Sequence, residues 1–135
     1  MPQITFKAAV ESIPAVTEFV DGILEENNCS MKAQMQLRIA IDELFSNIAH
    51  YAYPDGEGEA TVAADFDEPQ RMLVLTFIDS GIPYNPLEKE DPDITLSAEE
   101  RQIGGLGIMM VRKTMDDMTY VYRDGQNILT IYKKI

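Results

Sequence analysis

The chain has 135 residues, and its 11 basic and 23 acidic side chains give a formal net charge of −12. Hydrophobic residues make up 45% and charged residues 25%, which is typical of a globular domain rather than a disordered chain. The acidic balance disfavours direct binding to nucleic acid, and the single cysteine excludes an internal disulfide. The sequence shows no apolar run of membrane-spanning length and no secretory leader, so we expect a cytoplasmic protein with no membrane partner.

The first half of the chain predicts one strand followed by two helices. Apolar and polar residues alternate over residues 3–9, which predicts a strand. Ser12 and Pro14 predict the start of a helix that ends near residue 27. The strongest helical periodicity covers residues 31–51, where Leu37, Ile41, Leu44, Phe45 and Ile48 line one face.

The second half predicts two hairpins separated by a long irregular stretch and a helix. Residues 59–66 and 72–78 predict one antiparallel pair, and residues 118–122 and 128–135 predict another. Between them, residues 79–107 are rich in glycine and proline, and residues 108–115 predict a helix. This order favours an α+β fold in one domain: a two-layer α/β sandwich whose mixed, mostly antiparallel sheet carries its helices on one face.

The second predicted helix carries a polar stripe on one side. Glu43, Asn47 and His50 are spaced i, i+4 and i+7, so their side chains share a face. A carboxylate there could accept a proton, an amide oxygen suits Mg²⁺, and an imidazole could meet a phosphate. A solvated polar face would explain the same residues. Tyr51 and Tyr53 follow, and we expect them to pack in the core rather than in a nucleotide pocket.

Two further segments suit a nucleotide. Asp79 ends an apolar strand, where a buried carboxylate needs a donor such as the exocyclic amine of a purine, and Gly81 permits close approach to a flat ring. The glycines at 104, 105 and 107 precede a predicted helix, where backbone N–H groups can bind an anion. An ordinary turn and a flexible hinge are the alternatives for these two segments.

Together, the three segments resemble the motifs of the histidine-kinase-like (GHKL) ATPase fold, and within it the anti-sigma factor serine/threonine kinases of bacteria. Residues 43–50 are similar to that family's N box, residues 79–86 to its first glycine box, and residues 105–111 with 115–117 to its second. The resemblance covers nearly the whole chain. It implies a single ATPase domain over residues 1–135, with an ATP lid over about residues 84–104.

The resemblance also implies a role for each motif residue. Glu43 would be the catalytic base, and Asn47 would coordinate the Mg²⁺ that bridges the ATP phosphates. Asp79 would bond the adenine amine, with Gly81 close to the ring. The other nucleotide-binding residues would lie around the phosphates: His50, Arg101 in the lid, and Gly105, Leu106 and Gly107 in the second glycine box.

The function that the resemblance implies is that of an ATP-dependent protein serine/threonine kinase and anti-sigma factor. Such a protein would phosphorylate a STAS-type anti-anti-sigma antagonist, sequester a sigma factor and form a homodimer. The only histidine lies inside the N box, so autophosphorylation as in sensor kinases is not expected. Two alternatives stay open: a non-catalytic ATP-binding switch that binds a partner protein, which would not need Glu43 as a base, and an unrelated α+β domain.

Overall fold

The structure is a computed structural model that describes residues 2–88 and 105–135, without the side chain of residue 106. A strand is followed by two helices, a hairpin, a third helix and a second hairpin. The elements are β1 (Gln3–Lys7), α1 (Ile13–Glu26), α2 (Met31–Tyr51), β2 (Glu59–Asp67), β3 (Met72–Asp79), α3 (Gly105–Thr114), β4 (Asp117–Arg123) and β5 (Gln126–Lys134). Short 3₁₀ turns lie at Val10–Ser12 and Pro86–Glu88.

The two long helices begin in different ways. Pro14 lies in the first turn of α1, as predicted, but the Ser12 side chain makes no capping hydrogen bond because the preceding 3₁₀ turn runs directly into the helix. At α2, the hydroxyl of Ser30 accepts a hydrogen bond of 3.1 Å from the backbone N–H of Ala33, which satisfies one of the donors that a helix start leaves unpaired. The bounds of α2 agree with the predicted periodicity.

The five strands form one sheet in the order β1-β2-β3-β5-β4. All four strand pairs are antiparallel, so the expectation of a mixed sheet is corrected for the described residues: each pair there is antiparallel. The last hairpin, which the sequence predicts, turns at Asp124 and Gly125, with φ angles of 54° and 78°. Two positive φ values in a two-residue loop match the right-handed twist of the flanking strands.

The helices cover one face of the sheet, which confirms the two-layer α+β class. Alternate residues of β3 are buried, and Leu73, Leu75 and Phe77 join one cluster with apolar side chains of all three helices. The residues between them, such as Thr76, are only half-buried on the other face. Among the described helices, none combines the length and the apolar character that crossing a bilayer requires.

The second glycine box lies within a helix rather than before one. Residues 105–107 form the first turn of α3, which starts three residues earlier than the periodicity predicts. Ile108, Val111 and Met115 are buried against the sheet and α2, so their packing fixes the position of this first turn. The first N–H groups of a helix have no partner within it, so the backbone donors predicted for this segment are those of a helix start.

Candidate active site

A cavity lies between α2 and the ends of strands β3 and β5. The space between these elements, part of it open to solvent, is about 430 Å³. Apolar side chains form most of its wall, with a few polar groups among them. The lining residues are Leu44, Asn47, Ile48, Tyr51, Ala52, Phe77, Asp79, Ile82, Tyr84, Pro86, Tyr120, Asn127 and Leu129. The N box and the first glycine box therefore meet at one site.

Asp79 is a buried carboxylate at the end of β3, with 6% of its surface exposed. Its Oδ1 accepts two hydrogen bonds of 2.9 Å, one from the backbone N–H of Gly81 and one from Nδ2 of Asn127. These donors offset part of the cost of burying the charge. Within the described residues Oδ2 receives no such bond, so it is the oxygen with capacity for a donor in the cavity.

Asn47 presents an unsatisfied amide to the same cavity. Within the described ranges its buried Nδ2 has no hydrogen-bond partner, although the residue lies in the cavity wall. Leaving a buried polar group unpaired costs about 1–3 kcal/mol. Such a group at the wall of a cavity indicates a site that a polar ligand completes.

Glu43 lies one turn before Asn47 on α2 and contacts the first turn of α3. A Cβ atom built on Gly107 would lie 2.6 Å from Oε1 of Glu43 and closer still to Oε2. Real Cβ atoms essentially never come within 3.0 Å of another heavy atom, so any residue other than glycine would displace this carboxyl group from its position. The carboxylate and the backbone donors at the start of α3 are thereby brought side by side.

The family follows from the sequence as a whole together with this geometry. Residues 6–133 match the model of the histidine kinase-like ATPase domain. The chain belongs to the histidine kinase-like ATPase domain family. The cavity between α2 and β3 is therefore the candidate nucleotide site of a histidine kinase-like ATPase domain, and its buried acid and unpaired amide are consistent with that membership.

Several relatives of this ATPase-domain protein carry kinase names. The serine/threonine-protein kinase BtrW of Bordetella bronchiseptica is 27% identical over 113 residues, which cover 84% of this chain and 79% of the relative. The serine-protein kinase RsbW of Bacillus mycoides is 27% identical over 135 residues, covering 92% and 83%. The RsbW of Listeria monocytogenes is 25% identical over 128 residues, covering 87% and 81%.

Gly81 has a structural role in this ATPase domain that the motif did not suggest. A Cβ atom at Gly81 would lie 2.6 Å from the carbonyl carbon of Ala52 and closer still to its oxygen. The N–H of the next residue, Ile82, donates a hydrogen bond of 2.9 Å to that oxygen. The glycine thus permits the loop after β3 to pack on the C-terminal end of α2, while its approach to an adenine ring stays a prediction.

Other residues predicted for the nucleotide site lie outside the cavity wall or outside the described ranges. His50 is exposed, with its Nδ1 at 3.4 Å from the hydroxyl oxygen of Ser46, and it does not line the cavity. Arg101 lies outside the described residues, as do residues 89–104 of the predicted lid. Gly105 and Leu106 belong to the first turn of α3.

The structure also brings three aromatic residues into the site that the sequence did not assign to it. Tyr51 was expected in the core, but it is 44% exposed and its ring stacks on Tyr84 with centroids 6.5 Å apart. Tyr120 reaches the cavity from β4, and its phenol donates a hydrogen bond to Oδ1 of Asn127. Burial raises the pKa of the Tyr120 phenol.

Asn127 is the other residue that the sequence analysis missed. It is 5% exposed and lies opposite Asp79 in the register of β3 and β5. The available signal was an amide at an inward position of β5, where the following inward residues Leu129 and Ile131 are apolar. A polar side chain in such a series needs a partner, and nothing in the strand itself shows that the partner is Asp79.

Proposed function

We propose that this protein is an ATP-dependent protein serine/threonine kinase. The observation that carries the proposal is the arrangement on α2, where Glu43 lies against Gly107 in the first turn of α3 and Asn47, one turn later, enters the cavity that contains Asp79. The proposal is supported by a carboxylate and an amide one helical turn apart on α2, the first beside the start of α3 and the second in the wall of the cavity. The kinase names of the relatives support the same function.

The chemistry requires positioning and charge neutralisation more than covalent participation by the protein. Glu43 would accept the proton from a substrate hydroxyl as its oxygen bonds to the γ-phosphorus of ATP and the bond to the ADP oxygen breaks. The free N–H groups at the start of α3 would donate to the phosphate oxygens. Asp79 would accept a hydrogen bond from the adenine amine through Oδ2.

The residues present fit a magnesium ion held together with the nucleotide. Across the described residues, no group of three or more His, Cys, Asp or Glu side chains is arranged to hold a metal. Mg²⁺ in nucleotide sites commonly takes only one or two protein ligands, with phosphates and water completing its octahedron. Asn47 would be that ligand, because its amide is unsatisfied and rotation about its last bond exchanges oxygen and nitrogen. When bound, the ion neutralises phosphate charge.

The protein substrate that we propose is a small STAS-type anti-anti-sigma protein, phosphorylated on serine or threonine. This identity, the sequestration of a sigma factor and the homodimeric state rest on the motif resemblance of residues 43–50, 79–86 and 105–111 with 115–117. The acidic surface charge fits recognition of proteins rather than of nucleic acid. Sedimentation equilibrium would test the dimer, and co-purification of a sigma factor in the presence of ATP would test sequestration.

The decisive experiment is phosphotransfer with a matched pair of acid variants. The purified protein, Mg²⁺ and γ-labelled ATP are incubated with each STAS protein encoded in the same genome, and labelled serine or threonine is measured. We expect Glu43→Gln to lower the rate at least about 100-fold, as for loss of a general base. Asp42→Asn, at the exposed neighbouring acid of α2, should retain it. Tight nucleotide binding without transfer to any STAS protein would instead favour the non-catalytic switch.

A further inference from the structure

The buried side chain of Asn127 links the Asp79 carboxylate to the segment that follows β3. Its Nδ2 donates to Oδ1 of Asp79 and to the carbonyl oxygen of Ile82, both at 2.9 Å. Its Oδ1 accepts from the backbone N–H of Tyr84 at 3.0 Å and from the Tyr120 phenol. Four groups from β3, from the segment after it and from β4 therefore meet at one carboxamide.

This carboxamide has no capacity left for a ligand. An asparagine side chain offers two N–H donors and one oxygen with two lone pairs, and the four hydrogen bonds of Asn127 use all of them. Any effect of Asn127 on a nucleotide must therefore pass through the groups that it holds. Of these groups, Asp79 is the buried charge.

We infer that Asn127 is a positioning residue that sets the preference of the site for a 6-amino purine by fixing the Asp79 carboxylate. The inference rests on the proposed function. Two donors, Asn127 and the Gly81 N–H, hold Oδ1, which restrains rotation of the carboxylate and leaves Oδ2 as the oxygen that can accept a donor from the cavity. A 6-amino group can donate a hydrogen bond to Oδ2. A 6-oxo group cannot, because its oxygen is an acceptor, as Oδ2 is.

The same amide ties this carboxylate to the beginning of the predicted lid. Ile82 and Tyr84 both line the cavity, and Asn127 holds the carbonyl of one and the N–H of the other. Asp79 and residues 82–84 consequently form one hydrogen-bonded unit. Aspartate at position 127 could not replace asparagine, since it would place acceptors against the acceptors of Asp79 and Ile82.

The test is isothermal titration calorimetry of ADP and IDP, which differ in the amino or oxo group at the 6-position of the purine and in the hydrogen that the oxo form carries on N1. The proteins are wild type, Asn127→Leu and the control Thr130→Val. The control also loses a side-chain hydrogen bond from β5, but on the uncovered face, where Thr130 pairs with Thr76 at 3.3 Å. We expect wild type and control to prefer ADP by at least about tenfold, as for a hydrogen bond to a charged group.

In Asn127→Leu we expect the ratio of the two dissociation constants to fall to within about threefold, because a mobile, rehydrated carboxylate discriminates poorly. Tyr120→Phe removes one of the four hydrogen bonds and should lower the ratio in the same direction without threatening the fold. An unchanged ratio in both variants, even with weaker overall binding, overturns the inference, as does equal binding of ADP and IDP by wild type. Absence of ADP binding by wild type would instead overturn the proposed function.

Discussion

Replacing Gly107 by alanine tests whether the position of the Glu43 carboxylate limits the rate of phosphotransfer, because we expect the change to leave the stability of the fold almost unaltered. The new Cβ atom would lie 2.6 Å from Oε1 of Glu43, whereas ordinary contacts begin at 3.4 Å. Oε1 must therefore withdraw by about 0.8 Å, and the other carboxyl atoms by more. These atoms are the far end of a flexible side chain, so the Glu43 side chain can move away while the backbone stays in place.

The expected magnitudes differ for stability and for catalysis. Within a helix, alanine is favoured over glycine by about 0.5–1 kcal/mol, which offsets part of the cost of moving the Glu43 side chain. We therefore expect the free energy of unfolding of Gly107→Ala to stay within about 1 kcal/mol of wild type. A displacement of about 1 Å in a reacting group can lower a rate about 100-fold, so we expect kcat for phosphotransfer to fall by that factor.

The assay is steady-state phosphotransfer to the STAS substrate, combined with urea unfolding of the same preparations. A double-mutant cycle with Glu43→Gln provides the control. If both changes act on the same carboxylate, the double variant should be no slower than the slower single variant, because effects within one unit are not additive. Since alanine retains the backbone N–H, loss of a phosphate donor is not an alternative cause.

Two results would refute this reasoning. A Gly107→Ala protein that turns over within twofold of wild type would show that the position of the Glu43 carboxylate does not limit the rate. Additive losses in the double variant would show that the two residues act independently. After either result, the contact between Glu43 and Gly107 would no longer support the assignment of Glu43 as the base.

Three further outcomes are expected. Gly81→Ala should lower the free energy of unfolding in urea by about 1–3 kcal/mol, since its Cβ would meet the backbone of Ala52, which cannot yield as a side chain does; an unchanged midpoint would contradict this packing. Burial raises the pKa of the Tyr53 phenol above its ordinary value of 10.0. The contribution of Tyr53 to stability should therefore be fully present below pH 10 and be lost as the pH rises above it, so the free energy of unfolding should decline more steeply in wild type than in Tyr53→Phe. Equal slopes in alkaline urea titrations would refute the assignment. ADP with Mg²⁺ at one hundred times its dissociation constant should stabilise the protein by about 2.7 kcal/mol, and a thermal melt unchanged by ADP would argue against the nucleotide site.

Periodicity was sufficient to predict most of the secondary structure. The bounds of α2 follow from an apolar face with strong helical spacing, and the last hairpin follows from the turn chemistry of Asp124 and Gly125. The start of α3 was placed too late, because glycines have low helix propensity. In the structure, the burial of Ile108 and Val111 against the core compensates for that low propensity.

The motif residues could be recognised from order and spacing, but their contacts could not. Sequence alone brought Glu43, Asn47 and His50 to one helix face, yet the structure places only Asn47 in the cavity wall, while His50 is exposed. The helix period determines direction around the axis and says nothing about which other elements cover each turn. The motif predicts that Gly81 lies beside the adenine ring. The structure shows in addition that Gly81 packs against Ala52, a contact that depends on where α2 ends.

The sequence by itself determined the class of the fold, the order of its elements and the residue types available for chemistry, because these depend on local propensity and the period of apolar residues. Tertiary structure alone decided that Asp79 and Asn127, 48 positions apart, share a hydrogen bond inside one cavity. That pairing follows from the register of β3 against β5. Register is set by the packing of the whole buried face, so no local pattern around either residue could reveal it.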